Sequence, residues 1–229
     1  HESDALALQN LAKEQKLSLE SFAIDITKEK DRLKIQQFDL DVLINNAAIG
    51  ETGSLAEIDI NKVRENFEVN VFSTLELTQL ALKAMLKKNS GTVIFISSIA
   101  GRIAIPFFGP YSMTKFALSS GAEMLRAELG RITNSVHVAI VEPGTYSTGF
   151  NQKMIAKKFV WMDKNSFFAP IRQELEKREL RQFELLEQKD LSSIVRKIVQ
   201  AAEAKKPQLR SIAPWWQALG VQILRTLGK

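Results

Sequence analysis

Cysteine is absent from the chain, which excludes a disulfide framework and any chemistry that starts from a thiolate. That absence is compatible with a reducing cytoplasm, the compartment expected here. No apolar run reaches the roughly 18–20 residues that a membrane-spanning helix needs. Internal repeats and low-complexity tracts are also missing, so neither a solenoid nor a disordered tail is indicated. Nothing in the residue pattern calls for a metal. A nucleic-acid groove needs basic residues on one face with stacking aromatics between them, and no such motif is present; nucleic acid is not an expected partner. Acidic and basic residues nearly balance, at 26 against 31, for a net charge of +5. The stretch 205–229 holds Lys205, Lys206, Arg210, Arg225 and Lys229 and no acidic residue, so it carries that excess by itself.

What is present suits one folded domain. The 229 residues are 45% hydrophobic and 8% aromatic, enough to bury a full core. Helical spacing of apolar residues predicts helices over 4–16, 61–88, 111–130, 174–188, 191–204 and 215–227. A further helix is expected near 28–38, capped by Thr27. Strands are predicted over 19–26, 41–46, 92–97 and 136–141, the last broken by Glu142-Pro143-Gly144. Three of these strands are almost wholly apolar, as strands buried on both faces are. Strands alternating with helices predict an α/β fold, a doubly wound parallel sheet over 1–229 with no second domain. The aromatic stretch between Phe150 and Phe168 has no clear period.

Ligands of open α/β sheets bind beyond the carboxyl ends of the strands, and polar residues collect there. Asp25 follows one strand, Asn45 and Asn46 the next, Ser97 and Ser98 the third, Pro143 and Gly144 the fourth. Each alone has an ordinary reading as a turn or cap. Tyr111 and Lys115, four apart at the start of a helix, share one face. There an ammonium can lower the pKa of a phenol and hold it near a reacting oxygen. A serine from the preceding strand end can bind the same oxygen, which is what carbonyl–alcohol chemistry asks of a protein when a nicotinamide supplies the hydride.

These residues together resemble the short-chain dehydrogenase/reductases. Asn45-Asn46-Ala47-Ala48 is similar to the family's Asn-Asn-Ala-Gly motif, and Tyr111 to Lys115 is its Tyr-x-x-x-Lys. Ser98 falls at the family spacing, Asn70 matches the long-helix asparagine, and Pro143-Gly144 with Thr148 matches the Pro-Gly motif. The loop at 142–146 is closer to the retinol and 17-beta-hydroxysteroid dehydrogenase-like branch. The resemblance implies a Rossmann-like fold and a catalytic set of Asn70, Ser98, Tyr111 and Lys115. Tyr111 would be the general acid/base, its pKa lowered by Lys115 and the cofactor. Asn70 would position a water that relays protons to Lys115, and Ser97 would bond backbone. The implied cofactor is NAD(P), with a lean to NADP. Asp25 and Ile26 would meet its adenine, the backbone at Asn45 and Ala47 its ribose, and Tyr111 and Lys115 its nicotinamide half. Pro143, Gly144, Tyr146 and Thr148 would line the nicotinamide and its carboxamide. The substrate would be a small apolar alcohol or carbonyl compound, under a lid near 149–189. A homodimer or homotetramer is expected, and the tail at 205–229 could lie on an anionic membrane surface.

Two departures qualify the match. Ala48 stands where the motif has glycine, which the neighbouring Gly50 is expected to accommodate. The family's glycine-rich turn, and the first strand-helix-strand unit that carries it, is not in this sequence. The sequence is therefore expected to be part of a longer protein, because a sheet without that central strand should not fold stably. The alternative to an oxidoreductase is a catalytically silent, dinucleotide-binding or scaffolding relative.

Overall fold

The computed structural model describes residues 2–228. Four parallel strands form one sheet in the order of the chain: β1 (Val42–Asn45), β2 (Gly91–Ile96), β3 (Val136–Pro143) and β4 (Arg210–Ala213). Between β1 and β2 run α3 (Ile60–Phe67) and α4 (Thr74–Lys88), joined by a π-helical turn at Glu68–Ser73. Helix α5 (Gly109–Leu129) links β2 to β3. Helices α6 (Phe150–Lys158), α7 (Arg172–Leu186) and α8 (Ser192–Glu203) lie between β3 and β4. The ends are α1 (Glu2–Glu14), a short α2 (Glu29–Arg32) that tightens into a 3-10 turn, and α9 (Trp215–Thr226).

The two-residue period of a strand sorts the apolar residues onto two faces. Val93, Phe95, Val138 and Ile140 pack with Ala81, Leu82 and Met85 of α4 and with Leu118 and Ala122 of α5. Their neighbours Ile94, Ile96, Ala139 and Val141 point the other way, onto Ile194 and Ala201 of α8. Both faces are covered, which explains why β2 and β3 have unbroken apolar sequences. The expected doubly wound, Rossmann-like sheet is what forms.

Three local expectations are corrected. Residues 19–26 form no strand: a strand needs a ladder partner, and this segment pairs with none. Thr27 does not cap α2; its hydroxyl and amide donate instead to Asp25 Oδ1, at 2.7 and 3.0 Å. The fourth strand comes from 210–213, a segment with no strand signature, and Arg210 at its start pairs with Glu142 and Glu123. Beyond it, α9 buries Gln217 and Val221 and leaves Trp215, Leu219 and Ile223 exposed. Among the described residues no helix is long and apolar enough to cross a membrane.

Candidate active site

The end of β2 and the start of α5 carry the centre. Ser97 and Ser98 continue β2 past its last paired residue. Ser97 Oγ donates to the Lys115 carbonyl at 3.1 Å and bonds Ser119 Oγ at 2.7 Å, tying strand end to helix as the sequence implied. Ser98 Oγ accepts the Ala100 amide at 3.1 Å and shares a hydrogen bond with the Tyr111 hydroxyl. Helix α5 opens with Pro110 in its first turn, where no amide is needed. Tyr111 and Lys115, one turn apart, both turn inward and are buried. Lys115 Nζ donates to the Ile96 carbonyl at 2.8 Å and lies 5.6 Å from the Tyr111 ring centroid.

Burial dominates the electrostatics of this pair. It pushes Tyr111 up to about 12, against a lowering by the Ser98 hydrogen bond, and Lys115 down to about 8. The expected lowering of the phenol by Lys115 does not occur in the protein alone. The ammonium is bonded to Ile96 and stands over the ring face, and desolvation outweighs what remains.

Asn70 sits in the π-helical turn, a feature frequent at functional sites. Its Oδ1 accepts the Ile49 amide at 2.9 Å; its Nδ2 donates to the Ile49 carbonyl at 2.9 Å and to Thr114 Oγ1 at 3.0 Å. Thr114 Oγ1 in turn donates to the Tyr111 carbonyl at 2.8 Å. The carboxamide therefore brackets the loop after β1 against α5, and both its donors are spent on protein rather than on a water.

The cofactor-edge residues divide. Ile26, Asn45 and Ala47 line a cleft of about 360 Å³ with Phe22, Ile24 and Phe38. The buried Asn45 side chain donates to Thr78 Oγ1 at 2.8 Å. Asp25 is exposed, turned to Thr27, and does not line it. Pro143 ends β3, and Gly144 lies beside Ser98 and Tyr111. Tyr146 does not join them: its ring is in the core under α8 and its hydroxyl bonds Ser193 Oγ at 2.7 Å. Thr148 is exposed, its amide donating to the Tyr146 carbonyl at 3.0 Å.

Two groups were not legible in the sequence. Glu142, read as part of a strand break, is fully buried within β3 and pairs with Arg210, with Arg102 Nη1 at 3.5 Å. Gln217, one polar residue among many in α9, accepts the Thr145 amide and donates to the Leu186 carbonyl, both at 2.8 Å. It thereby joins the loop after β3 to the end of α7. A Cβ at Gly144 would fall 2.1 Å from Gln217 Oε1 and 2.9 Å from Pro214 Cδ. Gly144→Ala should lower stability by about 1–3 kcal/mol, read as a reduced urea midpoint at unchanged slope; an unchanged midpoint would contradict this packing.

Over Ser98 and Tyr111 lies a cavity of about 250 Å³. Ile105, Phe107, Phe108, Met154, Ile155 and Phe183 make its walls mostly apolar. The aperiodic aromatic stretch does two jobs. Phe150 packs on Tyr111, with ring centroids 5.7 Å apart, while Phe159 and Met162 build a separate small core with Leu175 of α7.

The short chain dehydrogenase family model matches residues 2–158. VdlC of Helicobacter pylori, a probable short-chain type dehydrogenase/reductase, is 38% identical over 112 residues, which are 49% of this chain and 41% of that one. The NADPH-dependent 3-dehydrocapnine reductase of Ornithobacterium rhinotracheale is 36% identical over 130 residues, 55% of this chain and 45% of that one. The chain thus spans about half the length of the curated relatives it matches. In fold, it is similar to a short chain dehydrogenase/reductase from Burkholderia phymatum solved in complex with NAD, with a TM-score of 0.79 at 18% identity, covering 98% of this chain and 81% of that one. A match over residues 2–158, carried by the same strands and helices that bring Ser98, Tyr111 and Lys115 together, places the chain in the short-chain dehydrogenase family.

Proposed function

We propose that the protein interconverts a carbonyl and a hydroxyl group with a nicotinamide dinucleotide, using Tyr111 as proton donor and acceptor. The observation that carries this reading is the buried Ser98–Tyr111–Lys115 cluster, of which Ser98 and Tyr111 line a mostly apolar cavity. Nothing in the packing of a silent scaffold asks for a buried ammonium beside a buried phenol, since each charge state must be desolvated.

The residues fit the nicotinamide half of such a cofactor. An ammonium has three N–H donors, and Lys115 uses one on Ile96, leaving donors for ribose hydroxyls. Gly144 and Thr145 form the wall beside Tyr111. The bound cofactor would supply or take the hydride. Tyr111, neutral at physiological pH, holds a proton ready for the substrate oxygen, and Ser98 donates a second hydrogen bond where negative charge develops. The apolar walls exclude water and suit an apolar carbonyl compound. The dependence of the 3-dehydrocapnine reductase on NADPH supports NADP; the Burkholderia phymatum structure, with NAD bound, supports the other dinucleotide.

Titration of NADPH and NADH by nicotinamide fluorescence tests the reading. Saturable binding, tighter for NADPH, is expected, followed by oxidation when ketones are added. Absence of binding by either would overturn it in favour of the silent relative.

A further inference from the structure

Lys158 is a charge placed in an apolar pocket. It ends α6, its side chain is 1% exposed, and it pairs with Glu179 of α7, which is 17% exposed. Its ammonium stands 4.2 Å from the Phe108 ring centroid and 5.7 Å from that of Phe107. Lys158 and Glu179 line the same cavity as Ser98 and Tyr111.

A pin between α6 and α7 could be made more cheaply. Two charges taken out of water recover their desolvation only with good geometry and every donor satisfied, and apolar residues of equal volume often pack as well or better. Here the donors are not all satisfied. Besides Glu179, the acceptor within reach of Lys158 Nζ is the Pro106 carbonyl, at 3.5 Å, the outer limit of a hydrogen bond. One of three N–H groups is left for a guest. The Glu179 carboxylate, with lone pairs beyond the one Lys158 occupies, offers an acceptor beside it.

A donor and an acceptor side by side suit a neutral group that has both functions. A hydroxyl donates and accepts at once. A carboxylate in the same place would face Glu179. An ammonium would face Lys158, and Arg178, which lines the cavity too. A hydrocarbon there would leave the donor unmatched. We propose that Lys158 and Glu179 form a subsite for a neutral hydroxyl that the substrate carries away from its reacting carbonyl. The proposal rests on the reading of Ser98 and Tyr111 as the reducing centre.

The test compares linear ketones of increasing length, each with and without a terminal hydroxyl, as substrates with NADPH or NADH. The matching alcohols and diols are measured as ligands by calorimetry, which needs no turnover. At one chain length the wild type should favour the hydroxylated compound by tenfold or more, expressed in KM. Lys158→Met with Glu179→Leu, apolar and of similar volume, should abolish that preference, so that at each chain length the hydroxylated and the plain ketone have the same KM. Glu179→Gln, nearly isosteric, should strip Lys158 of its counter-charge and move the preference to ketones ending in a carboxylate. It provides the test if the double variant does not fold. Indifference of the wild type at every length, or an undiminished preference in the double variant, overturns the subsite. If no ketone is reduced but calorimetry shows the hydroxyl preference and its loss, the subsite stands and the reductase reading falls.

Discussion

Tyr111→Phe should reduce turnover by about 10²–10⁴-fold or more, the range that a positioned acid or base supplies, while leaving the fold in place. The substitution deletes one oxygen. Its ring contacts with Phe150, Ala100 and Met154 survive, and the hydroxyl's partner Ser98 keeps its bond to the Ala100 amide. Thermal unfolding should therefore be nearly unchanged, and cofactor titration should still saturate. The loss belongs in kcat, because the proton is needed at the reacting oxygen and not for binding. The phenol stands at about 12 in the protein alone, so it is protonated across the physiological range and set to donate. Reduction should accordingly proceed at neutral pH without a titration of Tyr111. Activity within a factor of a few of wild type, with any working substrate, would remove Tyr111 from the mechanism.

Lys115→Met should also lower turnover, but unlike Tyr111→Phe it should raise stability at neutral pH. The folded protein holds Lys115 at about 8, below its ordinary 10.5, because burial penalises the charged form. Below about pH 8 both folded and unfolded chains carry this proton, and the full penalty is present. Between 8 and 10.5 the folded chain releases it while the unfolded chain keeps it. The unfolded state then binds more protons, so stability rises with pH across that window. The span corresponds to a gain on the order of 3 kcal/mol. Tyr111 acts with the other sign: its folded value of about 12 against an ordinary 10 makes stability fall between those limits. Lys158 is also lowered by burial, so the difference between wild type and variant, not the wild-type curve alone, isolates Lys115.

Urea unfolding at pH 7 and near pH 10 reads this directly. The methionine variant should be the more stable protein at pH 7 and should lose most of that lead near pH 10. It gives up the bond to the Ile96 carbonyl, which offsets part of the gain. Cofactor binding should weaken sharply, because the donors for the ribose go with the ammonium. A variant less stable than wild type at pH 7 would mean that Lys115 is a structural residue first. Stability sacrificed at a site for its chemistry is the ordinary signature of function.

Gly144 and Tyr146 show how far the motifs could be read. Both lie in the Pro-Gly stretch, and the family resemblance implied that both line the cofactor. Gly144 does stand beside Ser98 and Tyr111. Tyr146, two residues on, packs in the core beneath α8, where its hydroxyl bonds Ser193. Asn70 was recognisable from its motif, but its bonds to Ile49 and Thr114 depend on where the loop after β1 returns.

The sequence by itself determined what depends on neighbours in the chain. Apolar runs marked β1, β2 and β3, three- and four-residue spacing marked α4, α5 and α8, and the four-residue step put Tyr111 and Lys115 on one face. Only the tertiary structure decided which segments meet. Residues 19–26 have strand composition and no ladder; 210–213 lack that composition and have one, supplied by β3. Glu142 with Arg210, and Lys158 with Glu179, are ion pairs between distant positions in which Glu142 and Lys158 are fully buried, invisible to any local pattern. The physical reason is the same in each case. Side-chain periodicity is written into a few consecutive residues, whereas pairing, desolvation and the pKa values that follow from them belong to surfaces that only folding brings together.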